Sequence, residues 1–530
     1  MRILLILFLV SFSFCANAQN LKSGGVLKPE QAIMDIRHYT VALDVDPTQK
    51  TINGYTEIDF NLLKPTNFLL FDFWHGLTVK QLWVNGKEQK FDHTIDDYIK
   101  ISLAESLPVG KVKVKIAYGG TPGVAERAPW TGGFQWEKDK NGNPWIAITN
   151  QGEGAKIFFP CKDHPSDEPN EGADMIITVP KGLVVAGPGL LQKVTTKKDK
   201  STYHWKTNYT ISNYCILFNV GKYKVVKRIY TTIDGNKVPM EYYVLEENAD
   251  KAEGLLDLYE QSSRILEKYF GEYPWVKERI AISETPHLGM EHQTNIAYGN
   301  KYRYEKLGVH DFDWLLHHEY GHEWWANKVT NRDWAHMWIQ EGICVFGDAM
   351  ATRELAGEEE YLKKMKRTAM TLNGKIPVVR GEEVDSDSAY QGPIYGKGAF
   401  FMHTLRYMMG DDIFFPTLKK LATAPQYTYD NTVVTSDVEK LFSGAYGKSL
   451  EPVFHLFLYT INKLEINVRQ TKDNEYRVNL LNLDMAIPLD VQTDAGIQRM
   501  TVDRKGITVT SKTAIQIDPK VFYLKKVIME

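Results

Sequence analysis

Apolar and polar residues alternate along the first part of the chain, and turn-forming residues separate the alternating stretches. Alternation with a period of two is typical of strands that bury one face. It recurs in residues 36–46, 54–60, 112–116, 176–179 and 214–220. We therefore predict an all-β domain that extends to about residue 222.

The pattern changes near residue 250, where apolar residues recur at helical spacing. The stretch Asp250-Lys251-Ala252-Glu253 resembles a capping box, and the helix that follows it should end at Gly271 and Pro274. One strand is expected at 280–283, and further helices at 313–326, 338–346, 397–409 and 436–459. This part of the chain is therefore predicted to be mostly helical.

Alternation returns after residue 463, in residues 464–468, 476–480 and 507–510. These short strands predict a small C-terminal β-sandwich. The chain as a whole divides into a signal peptide at 1–18, an N-terminal β domain at 19–222, a central domain at 223–463 and the β-sandwich at 464–530.

The composition fits several folded domains and argues against one class of partner. The chain has 530 residues, of which 43% are hydrophobic, too long for one ordinary domain. Its 63 basic and 66 acidic residues give a formal net charge of −3, so no large basic field is available for nucleic acid. We expect no nucleic-acid partner, and the sequence leaves the oligomeric state open.

The N-terminus has the order of a secretory signal. A basic start precedes an apolar run at 3–14, and the small residues that follow predict cleavage after Ala18. The run is too short for a membrane anchor, and no later stretch is apolar enough to span a bilayer. Lipidation of Cys15 is the alternative, but Phe14 is too bulky to precede a lipidated cysteine. We expect an exported protein, either periplasmic or secreted.

The mature chain would keep three cysteines, Cys161, Cys215 and Cys344. This number is odd and low for an exported protein, so disulfides cannot be what holds the fold together. Cys344 lies in an apolar stretch and is expected to be a small buried hydrophobic residue.

The strongest chemical signal is His318-Glu319-Tyr320-Gly321-His322. Residues four apart on a helix share a face, so His318 and His322 can point their imidazoles at one metal ion. Glu319 lies beside that face, where it can take a proton from a water molecule at the metal without binding the metal itself. The alternative is an amphipathic helix with structural histidines, because a bare motif of this kind also arises by chance.

Glu341 is the candidate third ligand. A catalytic zinc site has three protein ligands and one open position. Glu341 lies in the apolar run 338–346, which predicts a second helix packed on the first. We therefore expect one Zn2+ per chain, held by His318, His322 and Glu341. The neighbouring His317 and His336 are expected to be structural.

These segments resemble the aminopeptidase N family of zinc peptidases, the gluzincin aminopeptidases, which are related to leukotriene hydrolases. The similarity is carried by the extended zinc signature at 318–327, by Val329-Thr330 and by 338–342. It implies a thermolysin-like catalytic domain at 223–463. Larger family members have a C-terminal helical domain, whereas residues 464–530 are predicted to be strands. We expect no such helical domain, and a site more open to long peptides.

Two more segments resemble the family's binding site for the free α-amino group of a peptide. Leu288-Gly289-Met290-Glu291-His292 is similar to the family's Gly-x-Met-Glu-Asn motif, which makes Glu291 an amine ligand and places Gly289 and Met290 at the substrate. Leu288 and His292 depart from that motif; the departure leaves Glu291 in place, and its effect on the pocket for the first side chain is left open. Gln151-Gly152-Glu153 is similar to a segment whose glutamate reaches the same amine, and without the resemblance it would be a polar turn. Two carboxylates favour a charged N-terminus over an internal peptide.

Tyr395 is the candidate hydrogen-bond donor to the reaction intermediate. Residues 394–399 resemble the family's Tyr-x-Lys-Gly segment, whose tyrosine hydroxyl donates a hydrogen bond to the oxyanion of the tetrahedral intermediate. The alternative for Tyr395 is a packed aromatic residue with a satisfied hydroxyl.

The resemblance and the residues together predict a zinc-dependent aminopeptidase that removes N-terminal residues from peptides. Glu319 and Tyr395 would be catalytic, and the reaction would use a water molecule activated by the metal. One alternative is a zinc metalloendopeptidase with the same three metal ligands. The other is a non-catalytic peptide-binding protein on a peptidase scaffold, which predicts loss of Glu319, Glu341 or Tyr395. The preferred first residue of the substrate is left open.

Overall fold

Long strands build the first part of the molecule, which is described by a computed structural model covering residues 21–372 and 374–530. The predicted signal peptide and its cleavage site lie outside these residues. A short helix α1 (Pro29–Ala32) precedes the strands. The strands of this part are β1 (Met34–Asp46), β2 (Thr51–Leu62), β3 (Thr66–Asp72), β4 (Thr78–Val84), β5 (Lys87–Glu88), β6 (Asp92–Thr94), β7 (Tyr98–Leu107), β8 (Gly110–Gly120), β9 (Gly133–Lys138), β10 (Pro144–Thr149), β11 (Ala173–Pro180), β12 (Val184–Ala186), β13 (Leu190–Lys197), β14 (Lys200–Thr207) and β15 (Asn219–Gly221).

Strand β1 lies near the middle of an eight-stranded sheet with the order β13-β14-β11-β1-β2-β8-β4-β5. It pairs antiparallel with β2 and parallel with β11. Tyr39, Val41, Leu43 and Val45 are buried on one face of β1, as the alternation predicts. The β-rich first part of the chain is thus confirmed.

The central part combines a small sheet with helices. Its strands are β16 (Tyr223–Thr231), β17 (Lys237–Leu245), β18 (Ile280–Glu284), β19 (Gly289–Met290), β20 (Ile296–Tyr298), β21 (Glu305–Leu307), β22 (His310–Phe312), β23 (Thr330–Asn331) and β24 (Thr432–Val433). The first five of these strands form one sheet with the order β16-β17-β18-β20-β19, which leaves β19 at one edge. The helices are α2 (Ala252–Phe270), α3 (Trp314–Gly321), α4 (Trp338–Ala356), α5 (Glu358–Thr371), α6 (Ser386–Ala389), α7 (Pro393–Met409), α8 (Asp411–Thr423), α9 (Thr435–Tyr446) and α10 (Glu451–Phe454).

Residues after 463 form two further sheets. Their strands are β25 (Leu464–Lys472), β26 (Glu475–Leu480), β27 (Ile487–Thr493), β28 (Gly496–Val502), β29 (Ile507–Thr510), β30 (Gln516–Ile517) and β31 (Lys525–Met529). One sheet has the order β29-β26-β25-β31, and the other has the order β28-β27-β30. The three strands predicted here are present, while the exact domain boundaries stay predictions.

The helix predicted over 313–326 is shorter than expected. Asp313 caps it by accepting the backbone N–H of Leu316, but α3 ends at Gly321, and His322 is the C-cap residue. Tight turns follow, because Trp324 and Trp325 are turned into the core, where both are fully buried. His322 therefore lies just past the last helical residue.

Three other local predictions are wrong. The segment 436–459 is not one helix, since Gly447 adopts a left-handed conformation and ends α9, and α10 and a π-helix (His455–Tyr459) follow. The capping box at Asp250 is absent, because a 3-10 helix (Glu246–Lys251) leads into α2 without a side-chain cap. The stretch 214–220 is mostly not a strand: Asn213–Cys215 form a 3-10 turn, where side-chain hydrogen bonds replace a strand ladder.

Neither a membrane-spanning helix nor a disulfide bond is found among the described residues. No helix among them has both the length and the apolar character needed to cross a membrane. Cys161, Cys215 and Cys344 are free and buried.

Candidate active site

Helices α3 and α4 bring three metal-ligating side chains together. The Nε2 atom of His322 lies 3.3 Å from Nε2 of His318. The Oε2 atom of Glu341 lies 3.6 Å from the His318 nitrogen and 3.4 Å from the His322 nitrogen. Three donor atoms, one from α3, one from the residue that caps its C-terminal end and one from α4, thus surround one point.

The spacing of these atoms suits zinc. A tetrahedral ion with bonds of roughly 2.0–2.1 Å separates its donors by about 3.4 Å. Within the described chain, Glu341 Oε2 is buried and has no hydrogen-bond partner, which is costly unless a cation or donor meets it. Two imidazoles and one carboxylate are also the donor set of many catalytic zinc sites.

The far nitrogens of both imidazoles are held by the protein. His318 Nδ1 lies 3.1 Å from Asp348 Oδ2, and His322 Nδ1 lies 2.8 Å from the backbone oxygen of Trp325. Hydrogen bonds to Nδ1 leave Nε2 free as the metal-binding nitrogen. The two rings are therefore oriented for a ligand at the centre of the three residues.

Charges in the site support an ionised third ligand. Burial by itself raises the pKa of the Glu341 carboxyl, but the two imidazoles outweigh it and hold this pKa well below its usual value. Burial by itself lowers the pKa of His318, whereas the Asp348 carboxylate outweighs burial and raises it well above the usual value. The site thus contains carboxylate charge that a cation would neutralise.

Glu319 follows His318 on α3 and lies against the edge strand β19. A Cβ atom built on Gly289 would be 2.7 Å from Glu319 Oε1, so the strand backbone and the carboxyl group are in close contact. Burial raises the pKa of the Glu319 carboxyl to about 8. Glu319 is not one of the three converging ligands, and its position suits proton transfer.

Two tyrosine hydroxyls donate to the second carboxylate oxygen of Glu341, the candidate third metal ligand. The Tyr395 hydroxyl donates to Glu341 Oε1 over 3.1 Å, and the Tyr390 hydroxyl does so over 3.4 Å. Tyr395 lies in the first turn of α7, which begins at Pro393. The predicted oxyanion donor therefore lies beside the metal ligands.

The proposed amine-binding residues meet between the first and central parts of the chain. Gln151 Nε2 donates to Glu291 Oε1 over 2.7 Å, and the Tyr214 hydroxyl donates to the same oxygen over 2.9 Å. A cavity of about 460 Å³ adjoins them, and Gln151, Glu153 and Met290 line it. Burial raises the pKa of Glu291, and it raises that of Glu153 to about 7.

The two positions that depart from the family motif flank this region differently. His292 is fully buried, and burial holds its pKa well below the usual value, which favours the neutral imidazole. Leu288 is partly buried and packs against the core. Met290, between them, is the motif residue that lines the cavity.

The neighbouring histidines lie outside the metal group. The ring of His317 is buried against Phe312, and His336 Nδ1 lies 2.9 Å from the hydroxyl oxygen of Thr435. Neither belongs to the converging ligands among the described residues.

Comparison with protein-family models matches two regions of the chain. The model described as "Peptidase M1 N-terminal domain" matches residues 36–215, and the model described as "Peptidase family M1 domain" matches residues 256–457. Together they cover well over half of the 530 residues. The chain belongs to peptidase family M1.

Relatives of this M1 chain include two curated proteins of greater length. Aminopeptidase M1-B from Oryza sativa subsp. japonica is 23% identical over 442 residues, which are 78% of this chain and 48% of the relative. Leukotriene A-4 hydrolase from Xenopus laevis is 25% identical over 414 residues, 73% of this chain and 64% of the relative. The chain therefore spans about half to two thirds of the length of these relatives.

A solved structure shares the M1 fold. The M1 zinc metallopeptidase from Deinococcus radiodurans superposes with a TM-score of 0.65 at 20% sequence identity, covering 80% of this chain and 94% of that one. The β-rich first part followed by a mostly helical domain is thus the fold of the family.

Three residues of the M1 site were not predicted from the sequence. Asp348 lies two helical turns after Glu341 on α4, so the spacing of seven residues was a signal that it shares the ligand face. Tyr390 precedes Tyr395 by five residues and offered only its proximity to a named residue. Tyr214 had no sequence signal, because its partner Glu291 is 77 positions away.

Proposed function

We propose that this M1 family member is a zinc-dependent aminopeptidase, which hydrolyses the N-terminal peptide bond of peptides. The observation that carries the proposal is the meeting of Gln151 with Glu291 beside the metal ligands. Through this contact, the segment with Glu153 and the segment with Glu291 line one region next to His318, His322 and Glu341. Carboxylates from two parts of the chain can then surround one substrate ammonium group.

Each part of the reaction has a residue in this arrangement. Zinc, when bound, supplies a water molecule made acidic enough to react at neutral pH and polarises the scissile carbonyl. Glu319 takes a proton from the attacking water and returns it to the leaving amine. The Tyr395 hydroxyl donates a hydrogen bond to the oxygen on which negative charge develops. Glu153 and Glu291 hold the α-ammonium group, and Gly289 and Met290 lie along the substrate.

The names of several relatives and one solved complex support this proposal. Several are named aminopeptidases, among them a leucyl aminopeptidase from Saccharolobus solfataricus, which is 21% identical over 512 residues. A structure of the Deinococcus radiodurans enzyme is bound to Tyr-Ser-Ala, described as its substrate. A peptide with a free N-terminus is the substrate class that we propose for this chain.

The proposal also covers the domain architecture and the cellular location of the protein. Residues 464–530 are proposed to form a β-sandwich that closes the molecule, and the central domain to be thermolysin-like. The apolar segment at 3–14 supports export, to the periplasm or out of the cell.

A metalloendopeptidase is the second candidate. It would use the same three zinc ligands, but it would have no need of the carboxylates of Glu153 and Glu291. Both carboxyl groups are buried, and within the described chain Glu153 Oε2 has no hydrogen-bond partner, which is costly unless a donor such as an ammonium group meets it. This burial favours the aminopeptidase.

Replacing one carboxylate tests the assignment of the general base. Glu319→Gln should retain one zinc per chain, measured by metal analysis, while kcat falls by about 10²–10⁴-fold because the proton acceptor is lost. Glu359→Gln, at an exposed position of α5, is the matched control and should keep normal activity. Full activity of zinc-loaded Glu319→Gln would contradict the proposed role.

A further inference from the structure

A short segment near the start of the described chain contacts two other segments, and both of these line the amine-binding cavity. This segment, Ser23-Gly24-Gly25, is called the N-terminal strap. On one side it meets the turn at 151–154, and on the other it meets the loop at 384–387. Both the turn and the loop contribute residues to the same cavity of about 460 Å³.

The strap and the loop bind one carbonyl group of the turn. The Ser23 backbone N–H donates to the Gly152 oxygen over 2.9 Å. The Ser386 hydroxyl donates to the same oxygen over 2.5 Å. The Ser386 N–H donates back to the Ser23 oxygen over 3.0 Å, so strap, turn and loop form one hydrogen-bonded group. All of this is buried, since Ser23 is only 4% exposed and Ser386 only 2% exposed.

Packing fixes the position of the strap. Gly24 has a φ of +74°, and a Cβ atom there would lie 2.3 Å from Cδ1 of Trp334. Both the backbone conformation and the space therefore require glycine. The Gly25 N–H donates to the Val384 oxygen over 3.1 Å, which ties the end of the strap to the loop.

The carbonyl held by the strap directly precedes Glu153. The Glu153 carboxyl group is buried, and within the described chain its Oε2 atom has no hydrogen-bond partner. A Cβ on Gly132 would lie 2.4 Å from this atom, so the carboxyl has little room to turn. On the other side of Gly152, Gln151 contacts Glu291. A shift of the turn would move both residues.

We propose that the N-terminal strap is a positioning element of the amine-binding site, which holds the turn that carries Gln151 and Glu153 in place beside Glu291. The strap does not touch the substrate. It acts through Gly152 and Ser386, and it links the first part of the chain to the catalytic part at the cavity edge. This inference rests on the proposed aminopeptidase activity, because it assigns the strap to the amine site of that reaction.

Two variants test the role of the strap, one in the strap itself and one in the loop that it contacts. Gly24→Ala pushes the strap away from Trp334, and Ser386→Ala removes the hydroxyl bridge to Gly152. For peptides with a free N-terminus, each should raise KM about five- to tenfold and change kcat less than twofold, because one hydrogen bond that orients a binding group is lost. Lys22→Met is the matched control. It removes only ion pairs of 3.3 Å to Asp385 and Asp387, whose side chains are partly exposed, and should leave KM unchanged.

A double-variant cycle separates positioning from a general structural effect. In a Glu153→Gln background, Ser386→Ala should raise KM less than twofold further, because its effect passes through the turn that carries Glu153. An undiminished increase in that background, or an unchanged KM in both single variants, would overturn the proposal.

Hydrogen exchange tests whether the strap holds the turn without relying on enzymatic activity or on the yield of folded protein. The amides of residues 151–154 should exchange faster in Gly24→Ala and Ser386→Ala than in the wild type, and at the wild-type rate in Lys22→Met. If the wild type cleaves no peptide, the proposed function fails, while the exchange data still report whether the strap holds the turn. Equal exchange in all four proteins would reject the strap as a positioning element.

Discussion

A single carboxylate behind the metal site decides how one of its ligands is oriented. Asp348 holds Nδ1 of His318 over 3.1 Å, so that Nε2 faces Glu341 and His322. The same carboxylate increases the negative charge around the site and makes the imidazole a stronger donor to a cation. Asp348 therefore belongs to the zinc site although it is not a ligand.

Asp348→Asn should weaken zinc binding by about tenfold or more, because the amide keeps the shape but loses the charge that orients and polarises His318. The measurement is competition for zinc against a chelating dye. Asp412→Asn, at an exposed position of α8, serves as the control and should bind zinc as the wild type does. Equal affinity in both variants would mean that Asp348 has no part in holding the metal.

The metal ligands were predictable from the sequence because helical spacing fixes which side chains share a face. His318 and His322 are four apart, and Glu341 stands in a recognisable apolar helix. The hydroxyl of Tyr214 could not be predicted, because it reaches Glu291 only after the chain has folded back over 77 positions.

At the scale of elements, one buried glutamate joins the end of β14 to the start of the central sheet. Glu278 precedes β18, and its Oε1 accepts the Asn208 N–H over 2.8 Å and the Thr207 hydroxyl over 3.0 Å. Burial raises the pKa of Glu278 from 4.5 to about 7. The junction between the first and central parts of the chain therefore favours a protonated carboxyl group.

This shift gives the stability a pH dependence. The folded chain keeps the proton up to about pH 7, whereas the unfolded chain releases it near 4.5. The folded state thus binds more protons in that window, and the stabilising contribution of this group is lost as the pH rises through it.

Glu278→Gln, which resembles the protonated acid, should raise the free energy of unfolding at pH 8 by about 1–3 kcal/mol. Near pH 4.5, the variant and the wild type should differ little. Denaturant unfolding at the two pH values checks this, with Glu105→Gln at an exposed position as control. A variant that is less stable than the wild type at pH 8 would contradict the account.

The elements themselves were predictable where the signal is local and not elsewhere. Strand β1 shows its buried face in its own alternation, and α7 ends at Met409, the end of the predicted range 397–409. The early end of α3 was not predictable, because it depends on Trp324 and Trp325 entering a core built from other segments. The same holds for Tyr214–Cys215, where tertiary hydrogen bonds override a pattern typical of strands.

At the scale of the whole molecule, the proposed amine site depends on the meeting of two parts of the chain. Gln151 and Glu291 are 140 positions apart, and each belongs to a different sheet region. Periodicity predicts that both regions fold, but it carries no information on how they pack together. Only the resemblance to a family predicted that the segments of Gln151 and Glu291 would lie close together.

The central claim is that the site requires a free N-terminal amine and a metal ion. The most direct test is the rate at which amino acids are released from matched peptides with free and N-acetylated termini, with and without a zinc chelator. We expect cleavage of the free peptides only, abolished by the chelator and restored by added zinc, because Glu153 and Glu291 are proposed to bind an ammonium group. Equal cleavage of acetylated and free peptides would contradict the aminopeptidase assignment and favour an endopeptidase.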